Sequence, residues 1–244
     1  MRCYWRKQSE GSSGAEGCGP GTRTTAKRGG DTRGEAATKE GEPLKRLFIL
    51  ITLAALSYFP GGAGLVSEDP DFRCVEGDCR NGAGRLAMGP AAYSGTFKDD
   101  LPQGQGSLYY RGQQVYTGSF VRGAFHGRGK YRFKDGSVYS GDFRNGEFDG
   151  QGYLDLASGN SYSGAFRNGR YHGQGTFVFL DGSRFSGQFK DGRPLGEGRF
   201  ESARGALLKG GFDGPRLEGE ATVELPGEPV FTGRFKHGQL QEIR

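Results

Sequence analysis

Apolar side chains make up only 34% of the 244 residues, and the chain has a single tryptophan, two methionines and three histidines. So lean a composition leaves too little Leu, Ile, Val and Ala for the buried parallel sheet of a large α/β enzyme. Proline, at 10, is too scarce for collagen, and no Gly-X-Y triplet runs anywhere. An excess of one charge is also missing: 33 Lys+Arg face 28 Asp+Glu, a net of +5 with both signs mixed along the chain. Nucleic-acid binders show a stronger basic bias gathered on one face, so no nucleic-acid partner is expected. What the chain has in excess is glycine, 47 residues, more than twice the average share of about 7%. With it come 18 Phe and 11 Tyr, too many for a solvated coil. Glycine and aromatics together direct the search to internal repeats.

Residues 1–43 are rich in Gly, Ser, Thr and charge and hold almost nothing to bury. They are expected to be a disordered tail or a gene-model extension. Residues 44–64 differ sharply. Lys45-Arg46 precede the uncharged run Leu47–Phe59, which ends at Pro60-Gly61-Gly62-Ala63-Gly64. A basic pair, a short apolar run and small residues after it are the layout of a secretory signal. A spanning helix needs about 20 apolar residues, more than this run supplies. The expectation is an exported chain, periplasmic or in the cell envelope, cleaved near Ala63 or Gly64 and starting its translation near Leu44. The alternative is an uncleaved membrane anchor at residues 45–59.

From Tyr93 onward a 23-residue register runs without insertion: Tyr93, Tyr116, Tyr139, Tyr162, Phe185, Leu208 and Phe231 open successive units. With that residue as offset zero, Gly stands at offset two and Phe at offset four in every unit: Phe97, Phe120, Phe143, Phe166, Phe189, Phe212 and Phe235. Gly-x-Gly follows at offsets eleven and thirteen, lapsing only at Gly219/Ala221, and offset fifteen is always apolar. Period-two spacing places Tyr, Gly and Phe on one face of a strand, and the Gly-x-Gly stretch repeats the alternation. Asn145-Gly146, Asn168-Gly169 and Asp191-Gly192 mark the turns within units; Asp135-Gly136 and Asp181-Gly182 mark those between them. Each unit therefore reads as a β-hairpin, and bare glycine backbone offers neighbouring rings a surface on which to lie flat. The fold expected is all-β: an elongated single-layer antiparallel sheet of consecutive hairpins. Residues 93–244 hold six units and a C-terminal half unit, and 65–92 a degenerate N-terminal copy or cap. Expected core residues are Tyr93, Phe97, Tyr116, Phe120, Tyr139, Phe143, Tyr162, Phe166, Phe185 and Phe189.

The unit from Tyr162, Tyr-Ser-Gly-Ala-Phe-Arg-Asn-Gly-Arg-Tyr-His-Gly-Gln-Gly-Thr-Phe, resembles the MORN (membrane occupation and recognition nexus) repeat. The aromatic that is often Trp in that family is Phe in every unit here. The sixth unit, opened by Leu208, departs further, lacking the leading Tyr and one glycine. The resemblance implies a repeat module, and the family name implies a membrane-surface role.

Chemistry is hard to find. His126 and His172 share offset ten two units apart, roughly 19 Å at ~4.8 Å per strand, too far for one metal or a proton relay. They and His237 read as solvent-facing turn residues. Gly123–Lys130 has the wrong length for a phosphate loop, and Tyr131 stands where Ser or Thr is needed. No catalytic residues, metal or cofactor are therefore expected, and the chain reads as no enzyme. Arg128, Lys130, Arg132 and Lys134 alternate with Gly129, Tyr131 and Phe133, a basic stripe able to hold anionic groups of a membrane or glycan. The alternative is a solvated face that keeps an exposed strand from aggregating. Cys74 and Cys79 would close a short loop as a disulfide in an oxidising compartment, or else remain free thiols. The functional reading is an exported scaffold that binds a protein partner or itself. A module for anionic lipid headgroups is the alternative, and an enzyme acting on envelope glycans a second.

Overall fold

A computed structural model describes residues 72–244. The signal or anchor segment expected at residues 44–64, and the tail before it, lie outside the described residues. What is described is one antiparallel sheet of sixteen strands in which every strand pairs with its neighbours in sequence, without a crossover. The N-terminal hairpin is β1 (Phe72–Gly77) and β2 (Ala83–Met88). The units from Tyr93, Tyr116 and Tyr139 give β3 (Ala91–Lys98) and β4 (Leu101–Tyr110), β5 (Gln113–Val121) and β6 (Ala124–Arg132), and β7 (Val138–Arg144) and β8 (Glu147–Asp155). The next three give β9 (Ser161–Arg167) and β10 (Arg170–Val178), β11 (Arg184–Lys190) and β12 (Arg193–Glu201), and β13 (Leu207–Asp213) and β14 (Arg216–Glu224). The half unit is β15 (Phe231–Lys236) and β16 (Gln239–Ile243). No helix occurs among the described residues.

How a single layer buries its rings is clearest in the unit from Tyr139. Its ring lies flat over the facing pair Gly141 and Gly152, and a methyl group at Gly152 would come within 2.4 Å of Tyr139 Oη. Between that pair and the next, Phe143 opposite Phe148, β8 carries extra residues around Gly150, whose φ of 119° only glycine adopts readily. This bulge bends β8 and brings Phe148 down onto the other face of the Tyr139 ring, with centroids 3.8 Å apart and planes 13° from parallel. Phe143 and the next unit's Phe166 meet the same ring edge-on, at 5.1 and 5.0 Å. Glycine below, a ring above and edges on both sides leave Tyr139 with no exposed surface.

The arrangement recurs in Tyr116–Phe125 and Tyr162–Tyr171, both stacked at 3.9 Å. Offset nine, held by Pro102, Phe125, Phe148, Tyr171, Pro194 and Leu217, is thus a core position that the period-two reading passed over. The signal was present, since offset nine is apolar in every unit. Each leading tyrosine, Tyr93, Tyr116, Tyr139 and Tyr162, also donates its phenol proton to a backbone carbonyl three residues on, as Tyr139 does to Asp142 at 2.8 Å.

Neighbouring hairpins are stitched at both rims. On one rim the turn glycine N–H of each unit donates to the offset-nine carbonyl before it, as Gly146 does to Phe125 and Gly169 to Phe148, both at 2.9 Å. On the other, Ala157 N–H donates to Ser137 Oγ and Leu180 N–H to Asn160 Oδ1. The turn residues Asn145, Asn168 and Asp191 have φ near 50°, which suits Asn and Asp.

Candidate functional site

The aromatic face is consumed by packing, so the sheet's opposite face and its outer strands are the surfaces on offer. Of the basic stripe, Arg128, Lys130 and Arg132 project from β6 on that opposite face, all exposed. Lys134 does not join them, because β6 ends at Arg132 and Lys134 sits in the turn that leads to β7. Nor is the stripe purely cationic: Arg128 Nε lies 3.8 Å from Asp142 Oδ1 on β7.

Following the strand register across the sheet exposes an order that no single strand contains. Lys130 faces Thr117 on one side and Ser140 on the other. Beyond Ser140 come Tyr153, Ser163, Thr176 and Ser186, each opposite the last. The row continues through Arg199, Lys209, Thr222 and Thr232. Ser107 and Ser94 extend it in the other direction. From Ser94 to Thr232 this central row carries no carboxylate. The acids lie in the rows beside it: Asp155, Glu201 and Glu224 on one side, Asp142, Glu197 and Glu220 on the other. Glu201 takes Arg184 Nε at 2.6 Å and Arg199 Nε at 2.5 Å, and these bonds, Arg184's first, hold its carboxyl below the usual carboxylate range. Arg184, Arg199 and Lys209 form a second basic group, invisible in sequence because they come from three strands.

The histidines depart from expectation. His126 and His172 lie inside β6 and β10, and the Nδ1 atom of each is shielded from solvent without a hydrogen-bond partner. The hairpin turns are so tight that offset ten already belongs to the strand. Elsewhere that position serves the next unit's turn, since Gln103 Oε1 accepts from Arg122 N–H at 3.1 Å and Glu218 Oε1 from His237 N–H at 2.7 Å. Only His237 sits in a turn, its Nδ1 2.8 Å from Glu218.

At the sheet's N-terminal end, Cys74 and Cys79 are joined by a disulfide with an S–S distance of 2.08 Å. Cys74 pairs with Leu86, as Tyr93 pairs with Leu108 in the first full unit. Cys79 Sγ lies against Gly84 much as the Tyr93 ring lies against Gly106. The disulfide thus occupies the place that a ring holds in the full units.

The 23-residue hairpin and its bulge recur in all six full units, and the ring-on-glycine contact in the five that open at Tyr93, Tyr116, Tyr139, Tyr162 and Phe185. The MORN repeat model matches residues 93–114, 116–138, 139–161, 162–184 and 185–206 in succession. This is a MORN-repeat protein. MORN repeats build modules for binding or scaffolding, in general without catalysis, and that coarse class holds here. The units from Leu208 and Phe231 keep the hairpin form beyond the matched residues. Among solved structures, the chain is similar to the SAS-4 (dCPAP) TCP domain in complex with a Proline Rich Motif of Ana2 (dSTIL) of Drosophila melanogaster. The identity is 13% and the TM-score 0.42, over 72% of this chain and 99% of that one. No curated protein matches the chain.

Proposed function

We propose that this MORN-repeat protein is an exported scaffold that binds a protein partner, or a further copy of itself, through its sheet and performs no catalysis. The observation that carries this reading is the use of the aromatic side chains. They are spent on unit-to-unit stacking, which leaves a long polar face and, in the described sheet, two outermost strands, β1 and β16. Outer strands of this kind are templates for pairing with another chain. Export is supported by the basic-then-apolar layout of residues 44–64 and by the bonded pair Cys74–Cys79.

The second reading, a module for anionic lipid headgroups, is favoured by Lys130 and Arg132 standing exposed together on β6. Co-sedimentation of the purified chain with anionic vesicles at low and high salt, beside analytical ultracentrifugation without lipid, separates the two. The scaffold reading expects concentration-dependent assembly, or capture of a discrete partner from the envelope fraction, and no salt-sensitive pelleting with vesicles. Vesicle binding that salt abolishes, from a chain that stays monomeric and partnerless, rejects it in favour of the lipid reading.

A further inference from the structure

We propose that the central row of the polar face is a binding track for a linear acidic polysaccharide of sparse charge, lying across the strands. The inference goes beyond the scaffold reading and stands independently of it. Its first support is the segregation of charge. The row has cations at Lys130 and at Arg199 and Lys209, with only uncharged hydroxyl-bearing residues between, while every nearby carboxylate lies in the rows beside it. Its second is a local cost. Arg199 and Lys209 stand directly opposite each other on β12 and β13, and like charges so placed are destabilising. Glu201 is already shared between Arg184 and Arg199, and Lys209 has no carboxylate partner among the described residues. A bound anion would relieve that repulsion. Its third is Tyr153, 47% exposed and the one aromatic side chain in the row. Ser140 and Ser163 flank it, and its ring meets no other ring among the described residues.

Charge and spacing select the occupant. A second copy laid face to face in register would set cations against cations at one end or both, whichever way it ran. A bilayer would press its headgroups on Asp142, Asp155, Glu197 and Glu201 as well as on the row. A nucleic-acid strand carries a phosphate about every 3.4 Å and would call for cations throughout. Here Lys130 and Lys209 are seven strands apart, roughly 34 Å at ~4.8 Å per strand, with neutral rungs over most of that length. An acidic glycan answers each feature. Its carboxylates or sulfates meet the terminal cations, its hydroxyls exchange hydrogen bonds with the Ser and Thr rungs, and the apolar face of one sugar ring rests on Tyr153.

The test is calorimetric titration of the full chain with long-chain hyaluronate, which carries one carboxylate per disaccharide. Dextran, single-stranded DNA and phosphatidylglycerol vesicles are run as separate probes. The variants are Lys130→Gln, Lys209→Gln and Tyr153→Ser, with Arg204→Gln, in the turn before β13, as the equal charge change off the row. All four side chains are exposed, so folding is retained and circular dichroism confirms it. Hyaluronate should bind, each lysine variant should weaken it by about two- to fivefold, and Tyr153→Ser should weaken it too, while Arg204→Gln should leave it unchanged. Dextran should not bind. No binding of hyaluronate overturns the proposal, as does equal weakening by Arg204→Gln. Tighter binding of DNA or vesicles with the same dependence on Lys130 and Lys209 overturns it in favour of that ligand.

Discussion

A methyl group at Gly152 would meet the Tyr139 ring at 2.4 to 2.6 Å, and that ring cannot retreat because Phe148 covers it. Gly152→Ala should therefore cost about 1–3 kcal/mol, the usual price of overpacking a filled site, read from urea melts. The chain contains its own control. In the sixth unit Ala221 takes the glycine position, and there the leading residue is Leu208, which lays no flat ring on it. Leu208→Tyr should accordingly destabilise in the presence of Ala221 and recover when Ala221→Gly is added.

The tyrosine hydroxyls make a second residue-level prediction. Burial pushes the Tyr93 phenol up to about 12, and those of Tyr116, Tyr139 and Tyr162 higher still. An unfolded tyrosine ionises near about pH 10, so the folded state favours the protonated form. Its contribution to stability is complete below about pH 10 and is lost as pH rises through the folded value. Tyrosinate absorbance from these four should rise together with loss of the sheet signal in alkali. Ionisation near pH 10 in an intact fold would contradict the burial described here.

At the scale of the hairpin, stability is a matter of neighbours. Phe143 touches the rings of Tyr116, Phe125, Tyr139 and Phe148, which belong to two units. Phe97 meets one partner ring in its own unit, Tyr93, and is 4% exposed. Phe235 in the half unit is merely half-buried. Alanine in place of Phe143 should cost about 3–5 kcal/mol, Phe97 less and Phe235 least. Phe148→Ala should approach the Phe143 value, because it uncovers Tyr139. Equal losses at centre and end in denaturant melts would argue against nearest-neighbour coupling.

Across the whole molecule the same coupling confines damage. The hairpins touch only those next to them, so an injury at one end should not travel. Reduction of Cys74–Cys79 removes the plug over Gly84 at the N-terminal end. Hydrogen exchange should then quicken in β1, β2 and around Phe97 while the protection of β7 to β10 stays as it was. Quickening along the full sheet would mean that the repeats open as one cooperative body.

Much of this was legible in the residues alone. Tyr139, Gly141, Phe143 and Gly152 declare a shared face through period-two spacing, and Asn145-Gly146 declares the turn, because both are local constraints on φ, ψ and side-chain direction. Their recurrence every 23 residues made the meander the simplest topology. Offset nine needed the tertiary structure. Phe148 stacks on Tyr139 only because the bulge at Gly150 bends its strand, and the depth of a bend is decided by packing rather than by propensity. The strand position of His126 and the early end of β6 before Lys134 depended on how tightly each turn closed. The carboxylate-free row from Ser94 to Thr232 lay furthest from view. Its members come from thirteen strands, β3 to β15, and only inter-strand register, set by hydrogen bonds between distant segments, aligns them.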